Sequence, residues 1–505
     1  MPLLPCRQLL FSTLLAAGCA VASHAANPPL PPNIIVILAD DYGYGSAGCY
    51  GADPKLVRTP AIDRLAAEGR RFTDGNTTSS VCSPTRYSLL TGRYCWRTTL
   101  KHEVLGTFSP LHIEPTRVNL ASLLKQKGYR TASVGKWHLG YGKENEDPKW
   151  RTEYKAELSP GPLDIGFDYH FGVPSNHGDL TGVYVENRFV YGLRSGQIPA
   201  GMKLAGPATD SDDYQATYGQ EDTENGKAKI LEIDAPRRKK ERVMKVLTDK
   251  ATDWLEAQPK DQPFFLYFAP VAVHNPITPD KDLAGKSAAG PYGDWIHELD
   301  QSVGRILATL DKMGATKDTL VLFTSDNGGI ADAGNGNTGK AMAAGLAING
   351  HLRGGKHTEY EGGFREPFLV RWPGHVPAHT VSDQVIALLL QVISHQVEGV
   401  GQGLQILRAL DHRDLGVKLA AGHPACRIEQ ANHRGHHLVG EPQAHPDRRE
   451  QQHEADEREH HAEGELHAEA LRHQPVIFLF RLLRVAQLLL DRRIYDAVDH
   501  QIGII

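Results

Sequence analysis

Three aspartates and one asparagine form the first pattern in the sequence that could do chemistry. Asp40 and Asp41 directly follow an apolar run, and Asp326 and Asn327 follow another apolar run far along the chain. Carboxylate and amide oxygens suit a hard cation, Ca²⁺ more comfortably than Mg²⁺. The simpler alternative for the adjacent pair is that both residues cap the following turn.

Cys82 is the second candidate, within the sequence Cys82-Ser83-Pro84-Thr85-Arg86. Ser83 and Pro84 are typical of a helix N-cap and first turn, so we predict Cys82 at the N-terminus of a helix. Backbone N–H groups at such a position favour an anion and lower the pKa of a thiol. Taken alone, the pattern also fits a redox or structural cysteine.

Basic and titratable side chains occur in the same segments of the chain. They are Arg86, Lys136, His138, His274 and Lys356. Together with a cation, such groups would bind and polarise an anion with transferable oxygens, either sulfate or phosphate. Each would be an ordinary surface or core residue by itself, so the prediction depends on their joint placement.

Four apolar runs precede most of these residues and predict the strands of a sheet. The runs occupy residues 33–38, 130–134, 264–268 and 319–324. Helical patterns alternate with them, between 59 and 69 and at 119–127, 242–256 and 296–310. Such alternation predicts an α/β fold with a large, mostly parallel sheet sandwiched between helices. Because sites in such sheets form beyond the carboxyl ends of the strands, we expect the four ends to meet at one site.

Composition and charge exclude several classes of protein. The 505 residues are 40% hydrophobic and 23% charged, which argues against a disordered, collagen-like or coiled-coil chain. A net charge of −5 argues against a surface that coats nucleic acid or an anionic membrane. The polar segment 206–240 is predicted to be a surface insertion. Outside the leader the cysteines are too few for a disulfide framework.

Residues 1–25 are predicted to be a signal peptide, which implies an exported, periplasmic or secreted protein. Arg7 precedes an apolar run, and Ser23 and Ala25 are small residues at positions −3 and −1 of a cleavage site. The alternative is a lipoprotein signal that would attach a lipid at Cys19. No later apolar run reaches the roughly 18 residues of a membrane helix, so no transmembrane segment is expected.

The segment 82–86 resembles the Cys-x-Pro-x-Arg signature of type I, formylglycine-dependent sulfatases, which belong to the alkaline phosphatase superfamily. Leu90-Thr91-Gly92-Arg93 resembles the extension of that signature. The four strand ends, Gly355-Lys356 and segment 360–367 resemble further family motifs. The resemblance covers residues 33 to about 388 and implies a sulfatase catalytic domain over 26–388.

The resemblance implies hydrolysis of a sulfate ester to an alcohol and inorganic sulfate. A separate maturation enzyme would convert Cys82 to Cα-formylglycine, and the hydrate of its aldehyde would attack sulfur. Ca²⁺ would bind the residue at position 82 and the four oxygen ligands, Asp40, Asp41, Asp326 and Asn327. The substrate would be a sulfated small molecule or carbohydrate.

The resemblance also implies roles for the basic residues. Arg86 and Lys136 would orient the hydrate, while His274 and Lys356 would contact the leaving group, with His274 as a candidate general acid. His138 would take a proton from the remaining hydroxyl, which expels sulfate and restores the aldehyde. Asn176 lies near the position of a sulfate-contacting serine in some relatives, and His177 is a further candidate for the pocket.

Three alternative functions remain open at this point. A phosphate or phosphonate monoester hydrolase of the same superfamily would use the same aldehyde. A two-zinc site of the alkaline phosphatase type fits less well, because the strand ends supply mainly oxygen ligands. The third alternative is a protein without catalytic activity, and the unusual C-terminus is the reason to consider it.

Residues 389–505 form an atypical, His-rich tail. Residues 391–505 contain 13 of the 25 histidines but only Phe478, Phe480 and Tyr495 among the aromatic residues. The smaller C-terminal domain of the family is not recognisable, so we hypothesise that the reading frame, or the gene model, changes near Leu389. A solvated tail is expected, and metal binding by its histidines is the weaker alternative because they follow no ligand spacing.

Overall fold

The computed structural model describes residues 30–388, except for 102, 148–149, 205, 207–213, 223–226 and 335; for 214–222 and 227–232 it describes the backbone alone. The predictions for the signal peptide, for Cys19 and for the tail from residue 389 onward lie outside the described residues. The hypothesis of a changed reading frame stays a prediction, which sequencing of the encoding DNA tests.

The strands and helices follow in chain order. The strands are β1 Asn33–Ala39, β2 Arg70–Asn76, β3 Arg130–Lys136, β4 Tyr169–Val173, β5 Val185–Glu186, β6 Phe189–Val190, β7 Tyr214–Asp222, β8 Lys227–Pro236, β9 Phe264–Ala269, β10 Thr319–Ser325, β11 Arg365–Arg371, β12 Thr380–Ser382 and β13 Ile386–Ala387. The α-helices are α1 Pro60–Ala67, α2 Cys82–Thr91, α3 Leu120–Gln126, α4 Val243–Glu256, α5 Gly290–Met313, α6 Gly336–Ala343 and α7 Glu361–Phe364.

Within the described residues, eleven strands form one mixed sheet in the order β12-β2-β11-β10-β1-β9-β3-β4-β5-β6, with β13 also paired to β2. The central strands β10, β1, β9, β3 and β4 are all parallel. β11 is antiparallel to β10 and β2, and β5 and β6 add antiparallel pairs at the other edge. The predicted α/β class and mostly parallel sheet are confirmed.

Helices cover both faces of the sheet, as the strand sequences require. Side chains alternate along β1, so Ile35 and Ile37 join a core with α4 and α5, whereas Val36 and Leu38 join a second core with α2 and α3. β9 is buried along its whole length. A strand buried on both faces must be apolar throughout, which explains the continuous runs in the sequence.

Cys82 lies at the N-terminus of α2 as predicted, but the prediction of Ser83 as the N-cap was wrong. The N-cap of α2 is Val81, and Cys82 is the first residue of the helix. The hydroxyl of Ser83 instead donates a hydrogen bond to the His138 carbonyl (2.9 Å) and accepts one from Leu105 N–H (3.1 Å). Tertiary contacts therefore override the local capping preference of serine.

The segment 206–240 is not only a surface insertion. β7 and β8 form a separate antiparallel pair, but Ile233, Ala235 and Arg238 at the end of the segment are buried.

Among the described residues, no helix is long and apolar enough to cross a membrane.

Candidate active site

The ends of four neighbouring parallel strands build the site. Ala39 at the end of β1 pairs with Ser325 at the end of β10, so the acids that follow both strands lie side by side. Hydrogen bonds between the segments that follow the strands continue this order, from Asp326 N–H to the Ala39 carbonyl and from Asp40 N–H to the Ala272 carbonyl, both 3.1 Å. The structure therefore brings the predicted residues of β1, β9, β10 and β3 together.

The Cys82 thiol lies at the centre of the group. Its Sγ is 3.4 Å from Lys136 Nζ and 3.5 Å from Lys356 Nζ. It is also 3.8 Å from Asp40 Oδ1 and 4.0 Å from Asp41 Oδ1. An atom with two ammonium groups and two carboxylates around it is in place to become, or to bind, the reacting group.

Each lysine at the thiol is paired with one aspartate. Lys136 Nζ donates to both oxygens of Asp40 at 2.9 Å, and Lys356 Nζ donates to those of Asp41 at 2.8 and 2.9 Å. All four side chains are almost completely buried. A buried charge needs a partner, and each of these residues supplies one for the other.

Arg86 contacts both Asp326 and Asp40 and holds these acids in position. Its Nε and Nη2 donate to Asp326 Oδ2 at 3.0 and 2.7 Å, and Nη2 is 3.3 Å from Asp40 Oδ1. Its Nη1 donates to the carbonyl of Lys136 at 3.0 Å. A planar guanidinium fits such multiple contacts well, so Arg86 fixes the spacing of the two carboxylates.

The arrangement of oxygens fits a cation. Ligand atoms of Asp40, Asp41, Cys82 and His274 lie within 4.8 Å of one another. Asn327 Nδ2 donates to Asp41 Oδ1 at 2.8 Å, whereas Asn327 Oδ1 is buried and has no hydrogen-bond partner in the described part of the chain. Because a buried polar atom without a partner is costly, this oxygen is available as a ligand.

His138 keeps one ring nitrogen free of hydrogen bonds. Its Nε2 donates to the Leu105 carbonyl at 2.8 Å, which makes Nδ1 the proton acceptor of the neutral ring. This Nδ1 is buried and lacks a hydrogen-bond partner within the described residues. Burial lowers the pKa of His138, although the neighbouring Cys82 thiol partly opposes the shift. The ring is therefore neutral and able to accept a proton.

The His274 side chain is only partly buried, unlike its neighbour Asp41. Its Nδ1 bonds the Asn275 carbonyl, and its Nε2 is 3.8 Å from Asp41 Oδ2. Burial and Lys136 lower the pKa of His274, whereas Asp41 and Asp40 raise it, and the net shift of the pKa is upward. The protonated ring would present Nε2–H toward a bound anion.

The lysines govern the charge of the central residues. Burial raises the pKa of the Cys82 thiol, but the ammonium groups of Lys136 and Lys356 lower it by more, well below its usual value. Burial also raises the pKa of Asp41, but Lys356, His274 and Lys136 together lower it by more. The site therefore favours anions at its centre.

Two site residues adopt left-handed backbone conformations, which are uncommon outside glycine. Asp41 has φ of 58° and His138 has φ of 55°. Such conformations cost roughly 1–3 kcal/mol each and persist only where the surrounding structure enforces them. Here they turn both side chains back toward the thiol, directly after a strand has ended.

Sequence reasoning missed the residues that support the site from behind. Asn349 accepts from Gly329 N–H at 2.9 Å and donates to the carbonyls of Gly329 and Gly354, both at 2.9 Å. It thereby joins the loops that carry Asn327 and Lys356. A lone asparagine in a loop gives no signal in sequence.

His177 and Asn176 are near the site in different ways. His177 Nε2 donates to the Pro276 carbonyl at 2.7 Å, two residues beyond His274. Asn176 Oδ1 accepts from Gly178 N–H at 2.9 Å, which is a local turn. Both belong to a loop that also contacts Arg238, which falls in the segment 206–240 predicted to be a surface insertion.

A cavity of about 630 Å³ lies at the amino end of β10, away from the Cys82 group. Arg64, Glu68, Lys317, Arg371 and His375 are among its lining residues. None of the predicted site residues lines it. The predicted site residues therefore lie in the buried, charged group at the carboxyl ends and not at this cavity.

A sheet and a charge distribution of this kind define an enzyme that acts on an anionic group. The family model described as Sulfatase matches residues 32–394. The N-acetylgalactosamine-6-O-sulfatase of Bacteroides thetaiotaomicron is 37% identical over 394 residues, covering 74% of this chain and 73% of that protein. Arylsulfatase A of Homo sapiens is 36% identical over 375 residues, covering 73% and 63%.

Solved structures agree with these relatives. A structure described under the metabolism of multiple glycosaminoglycans by Bacteroides thetaiotaomicron is 33% identical, with a TM-score of 0.64 over 76% of this chain and 82% of that chain. The PsFucS1 sulfatase from Pseudoalteromonas sp. is 27% identical, with a TM-score of 0.52 over 71% and 65%. The chain belongs to the sulfatase family. It is a sulfuric ester hydrolase.

Proposed function

We propose that this sulfatase removes sulfate from a sulfated sugar, with a 6-O-sulfated N-acetylgalactosamine as the first substrate to test, and that formylglycine made from Cys82 is its nucleophile. The observation that carries the proposal is the position of Cys82 Sγ between Lys136 Nζ and Lys356 Nζ, at 3.4 and 3.5 Å. Relatives named N-acetylgalactosamine-6-sulfatase, from bacterium and mammal, support the choice of sugar.

The buried oxygens would hold Ca²⁺. Asp40, Asp41, Asp326 and Asn327 would supply carboxylate and amide ligands, and the free Oδ1 of Asn327 supports this assignment. When bound, the ion would neutralise and polarise the sulfate oxygens, and the formylglycine hydrate would supply a hydroxyl nucleophile. A separate maturation enzyme is then a required partner of this chain.

The side chains of the site would bind the sulfate and transfer the protons. Lys136 and Lys356 would donate hydrogen bonds to the hydrate that replaces the thiol and pair with the anionic sulfate, while Arg86 keeps the carboxylates in place. His274, whose side chain is partly exposed, would donate a proton to the leaving alcohol. His138 would accept a proton at Nδ1, because its Nε2–H is already committed to Leu105.

The experiment measures the mass of the tryptic peptide that spans 72–86, from protein made in a host with maturation machinery. We expect an aldehyde in place of the Cys82 thiol, together with turnover of an aryl sulfate and of N-acetylgalactosamine 6-sulfate. Cys82→Ala should abolish both activities, whereas Cys95→Ala, at another buried free cysteine, should retain them. An unmodified thiol in an active preparation would overturn the proposed nucleophile.

A comparison of aryl sulfate with aryl phosphate tests the ester class within the same superfamily. We expect kcat/KM for the sulfate to exceed that for the phosphate. A preference for the phosphate would contradict the proposed substrate class, even if the formylglycine were present.

We also propose that the protein is exported, on the strength of the leader pattern in residues 1–25. The mass of the mature N-terminus tests this proposal. Cleavage after Ala25 supports a secretory signal, and a lipid-modified Cys19 would support the lipoprotein alternative.

A further inference from the structure

An exposed aromatic turn follows helix α2. Trp96 retains 53% of its surface in water, and its ring stacks on Tyr94 with centroids 5.4 Å apart and planes at 23°. The Arg97 guanidinium lies over the Trp96 ring, 5.3 Å from its centroid. We call Tyr94, Trp96 and Arg97 the aromatic turn. It therefore presents an exposed, stacked aromatic ring with a cation next to it.

The aromatic turn is held in one conformation. Cys95 between the two rings is buried, and its carbonyl accepts a hydrogen bond from the Thr98 hydroxyl at 2.6 Å. Arg93 Nη2 donates to the Arg97 carbonyl at 2.7 Å. A surface held in this way loses little conformational entropy when it binds a ligand.

Cations outnumber acids around the turn. Arg93, Arg97, Lys101 and Arg117 provide the positive charges, and Glu103 and Glu114 provide the negative ones. Glu114 is already engaged by Arg117 at 2.7 Å and by Arg93 at 3.5 Å. This excess of positive charge favours an anionic ligand on a protein whose net charge is −5.

The turn is connected to the active site at two points. The Thr98 hydroxyl bonds His112 Nε2 at 2.8 Å, and His112 N–H donates to the carbonyl of Leu139, next to His138, at 2.9 Å. Further along the same segment, the Leu105 carbonyl accepts from His138 Nε2 at 2.8 Å. These hydrogen bonds link the turn, through Thr98 and His112, to the segment after β3 that carries His138.

Helix α2 sets the distance between the turn and the nucleophile. It has ten residues from Cys82 to Thr91, which corresponds to about 15 Å at 1.5 Å per residue. A single sugar bound at Cys82 would not reach the turn, but a chain of sugars would.

We propose that the aromatic turn is a binding subsite for a sulfated polysaccharide whose terminal or internal sulfate is hydrolysed at Cys82. The C–H face of one sugar ring packs on the Trp96–Tyr94 stack, and an acidic group of the chain pairs with Arg97 and Arg93. The inference rests on the proposed function and extends it from one sugar to a polymer.

The experiment compares two substrates in the matured full-length protein, chondroitin 6-sulfate polymer and a small aryl sulfate. Trp96→Ala and Arg97→Gln should each raise KM for the polymer about tenfold, from the loss of stacking or of one ion pair. Both variants should keep kcat/KM for the aryl sulfate within about twofold. Val381→Ala, at an exposed apolar residue of the edge strand β12, is the matched control and should change neither value.

Binding of the same polymer to Cys82→Ala separates the subsite from catalysis. Affinity should fall in the Trp96→Ala, Cys82→Ala double variant and should weaken with salt. If Trp96→Ala hydrolyses the aryl sulfate and its KM for the polymer is unchanged, the subsite is overturned and the proposed function is not. If the wild-type protein fails to hydrolyse the aryl sulfate, the proposed function itself is overturned. A Trp96→Ala variant that instead changes the sedimentation coefficient would assign the turn to an interface between copies.

Discussion

Arg238 and Asp179 form a buried ion pair, with Nη2 3.2 Å from Oδ1 and side chains that are 1% and 0% exposed. Arg238 also donates to the His177 carbonyl, at 3.2 Å from Nε and 3.1 Å from Nη2, and to the Val183 carbonyl. His177 in turn bonds Pro276. The end of the segment 206–240 therefore supports the wall of the site that carries His274.

Loss of the Arg238 charge should destabilise the protein strongly. Arg238→Met would leave Asp179 buried and unpaired, at a cost on the order of 3–5 kcal/mol in the free energy of unfolding. Urea denaturation measures it. Lys245→Met removes one partner of the half-exposed Lys245–Asp249 pair and should cost less than about 1 kcal/mol. Equal midpoints for the two variants would contradict the importance of the buried pair.

Ca²⁺ should stabilise the folded state through Asn327. A ligand at about 100 times its Kd adds roughly 2.7 kcal/mol to the free energy of unfolding, so Ca²⁺ should raise the melting temperature and a chelator should lower it. Asn327→Ala should remove most of this response. Asn145→Ala, at an exposed asparagine, is the control, and a response that survives in Asn327→Ala would exclude that oxygen as a ligand.

Replacement of His138 should slow turnover much more than binding. His138→Ala removes the free Nδ1, so kcat for the aryl sulfate should fall by about 10²- to 10⁴-fold with a smaller change in KM. Steady-state kinetics and the mass of any modified peptide give the readout. His375→Ala, at an exposed histidine, should behave like wild type, and a His138→Ala variant with normal kcat would refute the proton-acceptor role.

Glu298 should make stability fall as pH rises. Burial raises the pKa of Glu298 to about 7 from the usual value of 4.5. The hydrogen bond that its carboxylate accepts from Asp280 N–H (2.8 Å) partly opposes this rise. Between pH 4.5 and about pH 7 the folded state then binds more protons than the unfolded state. The contribution of Glu298 to the free energy of unfolding is therefore fully present below pH 4.5 and is lost as the pH rises through this range.

Glu298→Gln tests this dependence because the amide keeps an acceptor but cannot ionise. Relative to wild type, the variant should gain on the order of 2–3 kcal/mol between pH 4.5 and pH 8. Urea midpoints at several pH values measure the difference. Glu256→Gln, at a half-exposed glutamate paired with Lys312, should show no comparable trend; parallel pH profiles for Glu298→Gln and wild type would contradict the burial argument.

The strands and most helices could be predicted because their signals are local. Continuous apolar runs gave β1, β9 and β10 nearly to the residue, and Asn119 caps α3 through a capping box as its sequence suggests. Ser83 shows the limit, since its local preference for an N-cap loses to two hydrogen bonds from residues distant in sequence. Periodicity reports which side of an element is buried, not what it packs against.

The strand–helix alternation, the polar residues that end each strand and the family motif around Cys82 can all be read from the order of the residues. The folded structure is needed to show which lysine pairs with which aspartate, which nitrogen of His138 lacks a hydrogen bond and that Arg238 lies in the interior. The reason is physical. Apolar patterning is written along neighbouring residues, whereas the pairing of buried charges depends on contacts such as Lys356 with Asp41, which are 315 residues apart.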